Sequence, residues 1–314
     1  MRASAGTGTR PYGVMVTKDD ILSGLKEIGL NKADVVVAHG SLSSFGEVDG
    51  GAAAVVDAIL QALGPTGTLI VPTFNYKPDV YDPATTPSLV GKITEEVRAR
   101  PNAARSLHPT HSVAAIGPLA REITKGHERT TAFGRGSALF KVLQVGGKIL
   151  QLGVTHTSNS MMHVAEEIVD VPYLEKQRYV GFKTAGGKVM HKWIRRPGCS
   201  KGFDAIEDAL QESGAIAETM IGGCRARLMT ARAVVDAAVE ALNFDTEALL
   251  CDLPDCDVCA ESRAMVAATE ADKRDQEVIE IAEEPERARR EMEERLGGGE
   301  VRHFDLEGLG SSQN

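Results

Sequence analysis

Residues 145–167 read VGGKILQLGVTHTSNSMMHVAEE. After the Gly146-Gly147 turn, Ile149, Leu150 and Leu152 make the short apolar run that predicts a central strand. The polar run Thr155 to Ser160 breaks it. Met161, Met162, Val164, Ala165 and Ile168 then restart the apolar pattern at helical spacing. A strand, a polar loop and a helix follow in turn. In α/β proteins ligands bind at that junction, beyond the carboxyl end of the strand. His163 falls in the first turns of the helix, with Glu166 at i+3 and Glu167 at i+4, so either carboxylate can share its face. A carboxylate beside an imidazole orients the ring, fixes its tautomer and raises its basicity, which makes a general base. The competing reading is a surface histidine among glutamates that only support the helix.

Working outward toward the amino terminus, the same alternation recurs. Lys18 to Leu30 has helical spacing, with Thr17 placed to cap it. Asp34 to Ala38 is a β-branched strand that runs into His39-Gly40-Ser41-Leu42-Ser43-Ser44-Phe45-Gly46, a loop of small hydroxyl residues. Its backbone N–H groups are placed to hold an anion or a carbonyl, although it matches neither a Walker motif nor G-x-G-x-x-G. Gly50 to Leu63 predicts a helix and Thr68 to Pro72 a strand that ends at Thr73. Strand–helix–strand repetition indicates an α/β layered domain. Residues 77–90 carry Pro78, Pro83 and Pro87 and suit a long loop at a pocket rim. Residues 105–112, RSLHPTHS, form a dense polar cluster that reads more readily as a substrate pocket than as a metal site.

Five motifs now stand in one order: His39-Gly40-Ser41-Leu42, Gly64-Pro65-x-Gly67-Thr68-Leu69, Asp82-Pro83-Ala84-Thr85-x-Pro87, Arg105-Ser106-x-His108-Pro109 and Gly147-Lys148-Ile149-Leu150-x-Leu152-Gly153-Val154. Together with Asn159 and His163-x-x-Glu166, this set resembles the antibiotic N-acetyltransferase family, typified by aminoglycoside 3-N-acetyltransferases. The resemblance covers about Lys18 to Glu261. It implies a three-layer α/β/α fold, distinct from that of the GNAT acetyltransferases. It also implies acetyl-CoA as co-substrate, direct transfer to an amine, and a link to antibiotic resistance. His163 takes the place of the family's proposed base, oriented by Glu166, with Glu167 as substitute. Ser41, Ser43, Thr73, Arg105, Ser106, His108 and Asn159 are expected to line the site and bind the co-substrate. The rivals are a same-fold acyltransferase for another small-molecule amine in biosynthesis, and a non-catalytic CoA-binding protein.

Residues 173–203 hold Lys176, Arg178, Lys183, Lys188, Lys192, Arg195, Arg196 and Lys201 against the single acid Glu175, around a Gly186-Gly187 turn. This basic hairpin is read either as a solvated surface or as a contact for CoA phosphates. Cys251, Cys256 and Cys259 make C-x4-C-x2-C, with Cys199 as a plausible fourth thiolate. That spacing suits a structural, closed zinc site; reduced, unliganded thiols are the alternative.

The 314-residue chain is 42% hydrophobic and 25% charged, with a formal charge of -9. That balance excludes a general nucleic-acid binder and supplies a sizeable core. It carries no apolar run of transmembrane length and no signal-peptide core, and its cysteines do not suit a secreted disulfide framework. The expected location is the cytoplasm, with no membrane partner; a homodimer is compatible with the sequence but not read from it. The expected organisation is a disordered segment 1–15, an acetyltransferase domain 16–261, and a charged, partly helical or disordered tail 262–314.

Overall fold

Val35-Val36-Val37-Ala38 is β-branched and apolar on both sides of its chain, which is what a strand covered on two faces requires. In the computed structural model, which describes residues 15–175 and 177–272, this run is β1 (Val35–Gly40) at the middle of a seven-stranded sheet. The other elements follow from both sides of it. α1 (Lys18–Glu27) starts at a capping box between Thr17 and Asp20. α2 (Gly51–Leu63), β2 (Thr68–Pro72), the two-residue β3 (Val80–Tyr81), α3 (Lys92–Ala99) and the short β4 (Ala104–Arg105) come next. They lead to β5 (Val113–Ile116), α4 (Ala120–Thr124), α5 (Ala138–Gln144), β6 (Lys148–Leu152) and α6 (Met162–Val169). A hairpin of β7 (Gln177–Lys183) and β8 (Val189–Arg195) is followed by α7 (Glu207–Glu212), β9 (Ala217–Ile221), β10 (Cys224–Thr230) and α8 (Ala231–Phe244).

The strand order is β4-β5-β2-β1-β6-β10-β9. β2, β1 and β6 run parallel; β5 and β10 flank them antiparallel. The period of two sorts the side chains between two cores. Val36, Ala38, Leu69, Leu150 and Leu152 pack with α1, α2 and α3, whereas Val37, Ile70 and Ile149 pack with α5, α6 and α8. The result is the three-layer α/β/α arrangement. Its parallel centre places three strand ends and their loops at one edge, where a ligand site belongs.

β3, β7 and β8 form a second small sheet. Four basic residues of the hairpin are engaged with their own chain, while Lys188 in the turn is exposed. Arg178 donates to the Tyr76 carbonyl, Lys183 pairs with Asp82 at 3.1 Å, and Lys192 Nζ donates to the carbonyls of Glu128 and Thr130. Arg195 lies 3.0 Å from Asp170 and 3.6 Å from Glu167. Lys176 lies outside the described residues.

The compact unit closes at Val266, a few residues past the expected boundary at Glu261. Residues 257–266 are helical. Of the expected disordered segment 1–15 and tail 262–314, residues 1–14 and 273–314 lie outside the described residues, and 262–272 are helical. Among the described residues, no helix is long and apolar enough to cross a membrane.

Candidate active site

At the carboxyl end of β6 the chain must turn at once. Gly153 has φ +65°, and a Cβ there would fall 1.9 Å from Ser44 Oγ, so only glycine fits. The loop beyond it is held by its own hydroxyls: Thr155 Oγ1 accepts from the Thr157 N–H. At the end of β1, the Ser41 N–H donates to the Leu152 carbonyl, and a 3-10 turn Leu42–Phe45 follows. Ser41 Oγ and Ser43 Oγ lie 3.0 Å apart. Between these loops, the start of α3 and the chain after β2 opens a cleft of about 770 Å³.

Ser41, Ser43, Asn159 and His163 line this cleft, along with His39, Tyr76, Lys92, Ser200 and Phe203. His163 is 8% exposed and Glu166 is fully buried behind it. Their contact is short, 2.6 Å from Nδ1 to Oε2. The second oxygen, Oε1, accepts from the Tyr173 hydroxyl at 3.2 Å. Burial, then the neighbouring Glu166 charge, pushes the Tyr173 hydroxyl pKa far up, so it remains a donor. An imidazole whose Nδ1 carries the proton toward a carboxylate leaves Nε2 as its basic nitrogen. The ring is clamped between Phe133, stacked at 4.8 Å, and Phe203, edge-on at 4.8 Å. Glu167 takes no part in that pair. It faces Arg195, and burial raises its pKa.

Thr73, Arg105, Ser106 and His108 are not among the residues that line the cleft. Each is engaged with its own chain. Thr73 Oγ1 bonds Ser112, and Ser106 Oγ lies 3.0 Å from His127 Nδ1. His108 Nδ1 accepts from the His111 N–H. Arg105 donates to the carbonyls of Pro83, Thr86 and Thr73 and sits over the Tyr81 ring, so it staples the Pro-rich loop to the sheet. Burial pulls His108 and His111 well below the usual imidazole pKa, so both are neutral. Phe133, Tyr173 and Phe203, which shape the base, come from elements with no motif of their own.

The four cysteines converge. Cys199 Sγ lies 3.9 Å from Cys251 Sγ and 3.8 Å from Cys256 Sγ, Cys251 and Cys259 are 3.5 Å apart, and all four fall within 4.8 Å of one another. Four thiolates at about 2.3 Å from one zinc stand about 3.8 Å apart, so the donor set fits that ion. The segment they pin, Gly198 to Phe203, supplies Ser200 and Phe203 to the cleft wall.

The family described as aminoglycoside 3-N-acetyltransferase matches the chain over residues 37–243. An aminoglycoside N(3)-acetyltransferase III of Acinetobacter baumannii is 33% identical over 179 residues, which is 50% of this chain and 63% of that relative's length. An aminoglycoside N(3)-acetyltransferase IV of Salmonella sp is 29% identical over 231 residues, covering 73% of this chain and 88% of the relative. The crystal structure of aminoglycoside acetyltransferase AAC(3)-IVa as apoenzyme superposes with a TM-score of 0.73 at 26% identity, over 82% of this chain and 100% of that one. A histidine-to-alanine mutant of the same enzyme in complex with apramycin gives 0.68 at 26% identity, over 80% and 100%.

Proposed function

The chain belongs to the aminoglycoside 3-N-acetyltransferase family, and on that premise we propose that it transfers the acetyl group of acetyl-CoA to the 3-amine of an aminoglycoside antibiotic. The observation that carries this reading is His163 on the wall of a cleft of about 770 Å³, with Glu166 bonded to it from behind. A protonated amine cannot attack a thioester. His163 Nε2 takes the proton, and Glu166, held by Tyr173, stabilises the imidazolium that forms. The amine nitrogen then bonds to the thioester carbonyl carbon. The adduct nitrogen loses its remaining ammonium proton to solvent, the adduct collapses to a neutral amide, the C–S bond breaks, and the departing CoA sulfur receives the proton held on His163. Donors for the oxyanion are at hand in Asn159 and the serine loop. Much of the remaining acceleration comes from holding the two substrates together.

One observation favours a second acceptor class. Among the described residues that line the cleft there is no Asp or Glu, where a polycation would gain from one. A panel of aminoglycosides and simple amines, with CoA release followed by a thiol reagent and the product located by NMR, tests both. Release of CoA with an aminoglycoside and an acetyl group at N3 is expected. Turnover confined to other amines would leave the acyltransferase reading and remove the acceptor; no release with any amine would overturn the reading itself. A structural zinc held by Cys199, Cys251, Cys256 and Cys259 belongs to the same reading. When bound it supplies a closed cross-link and no chemistry.

A further inference from the structure

Behind Asn159 runs a chain of polar groups, buried at His156 and Arg227 and part-exposed at Glu207, that the transfer itself does not use. Asn159 is 1% exposed, and its Oδ1 accepts from the Met161 N–H at 3.1 Å. A backbone N–H can only donate, so the atom facing Met161 is the oxygen, and the amide nitrogen faces the other way. That nitrogen, Nδ2, lies 3.1 Å from His156 Nδ1. His156 Nδ1 must then accept, which leaves the ring proton on Nε2. Nε2 lies 3.2 Å from Glu207 Oε2, a carboxylate that accepts it. Glu207 is fixed in turn by Arg227 Nη2 at 2.5 Å and by Gln211 at 3.0 Å. The approach of Arg227 Nη2 to His156 Nε2 is longer, 3.5 Å, so the carboxylate and not the ring serves the guanidinium. His156 has no exposed surface, and burial, aided by the Arg227 charge, lowers its pKa to about 4, so the ring stays neutral at working pH. Every proton along the chain thus has one consistent position. The Asn159 amide keeps one N–H for His156, and its second N–H remains for the cleft that Asn159 lines.

We infer that His156 and Glu207 are positioning residues that lock the Asn159 amide, so that its second N–H donates to the thioester carbonyl oxygen as the tetrahedral adduct forms. The inference rests on the acetyl-transfer reading. Without Glu207, the proton of His156 has a better acceptor on the Asn159 side. The tautomer switches, Nδ1 becomes a donor, and the amide must turn its oxygen to the ring and away from Met161. The oxyanion then loses its donor.

Glu207→Ala is therefore expected to lower kcat about ten- to hundredfold, below the 10²–10³ that a deleted oxyanion donor costs. KM for acetyl-CoA should stay within about twofold, since the lost bond forms only in the transition state. His156→Asn puts a carbonyl oxygen in place of Nδ1 and needs no tautomer. It should retain kcat within about threefold, and adding Glu207→Ala to it should change nothing further. His156→Leu, of similar bulk but without an acceptor, should lose as much as Glu207→Ala. ¹⁵N NMR of the imidazoles in the full-length protein should show His156 protonated at Nε2 in the wild type and at Nδ1 in Glu207→Ala. Wild-type kcat in Glu207→Ala, equal losses in His156→Asn and His156→Leu, or an unchanged tautomer would each overturn the inference. A wild-type protein that releases no CoA would sink the transfer reading instead, while the tautomer measurement still decides whether the relay exists.

Discussion

A histidine is a base at the nitrogen that its surroundings leave free, and Glu166 decides which nitrogen that is in His163. His163→Ala is expected to lower turnover by about 10²–10⁴, the usual contribution of a general base, with acetyl-CoA affinity nearly unchanged; steady-state kinetics beside a CoA-binding isotherm check it. Full activity would remove His163 from the mechanism. The H-x-x-E spacing was legible because a helix brings i and i+3 together without help from the rest of the chain. Phe133, Tyr173 and Phe203 were not legible, because they meet the imidazole only after the sheet has closed. Thr73, Arg105, Ser106 and His108 were read as site residues because hydroxyls, imidazoles and a guanidinium crowded into one stretch suggest a pocket. In the fold most of those groups bond to one another and to nearby carbonyls, while His108 Nε2 stays buried without a partner. The buried imidazoles carry a stability signature of their own. His39 is lowered to about 3 and His127 to about 4, chiefly by burial. Their folded values lie below the unfolded value of about 6.5, so the unfolded chain binds more protons between the two. Stability is then full above about pH 6.5 and is lost as pH falls toward 4. Melting curves from pH 8 to 4.5 should show a flat Tm that begins to drop just below 6.5, before most carboxylates titrate. A Tm that rises through that window would contradict the assignment.

Single elements show why the hairpin was ambiguous in sequence. A run of lysines and arginines with one acid looks like a surface for phosphates. In the fold Lys192 is drawn to two carbonyls, and Lys183 and Arg195 to Asp82, Asp170 and Glu167. Lys192 and Arg195 tie the small sheet to the chain before α5 and to α6, and the long separation along the chain hid these contacts. Strands β9 and β10 were missed for a related reason: Arg225, Arg227 and Glu218 interrupt their apolar pattern to make ion pairs across the edge and with α7. The cysteine segment was easier, since thiol spacing survives without a sheet to explain it. Freshly prepared, reduced protein is expected to contain about one zinc per chain. Chelation should lower Tm and loosen the Gly198 to Phe203 wall while leaving residual acetyl transfer, because the ion takes no part in the chemistry. Metal analysis that finds no zinc would end the proposal.

For the whole molecule the question is how an acidic chain meets a polycation. The formal charge is -9, but several carboxylates near the site are committed elsewhere, while Glu47 and Asp49 are exposed beside the cleft-lining Gly46, Val48 and Gly51. Asp82 is paired with Lys183, Glu167 and Asp170 with Arg195, and Glu166 with His163. Lys92, exposed at the start of α3, lines the cleft and adds a positive charge. An aminoglycoside is therefore drawn by the field of the whole protein more than by direct ion pairs, and that field is screened beyond about 10 Å at 0.1 M salt. Its KM should accordingly rise with salt, yet only by about two- to threefold between low and physiological ionic strength, since few charged contacts are broken. Lys92→Gln should lower the same KM by removing a like-charge contact, with kcat little changed. A salt effect of many fold would mean that carboxylates contact the substrate after all. A KM indifferent to both salt and Lys92→Gln, with turnover confined to neutral or anionic amines, would assign the cleft to a different acceptor and leave the His163 chemistry in place.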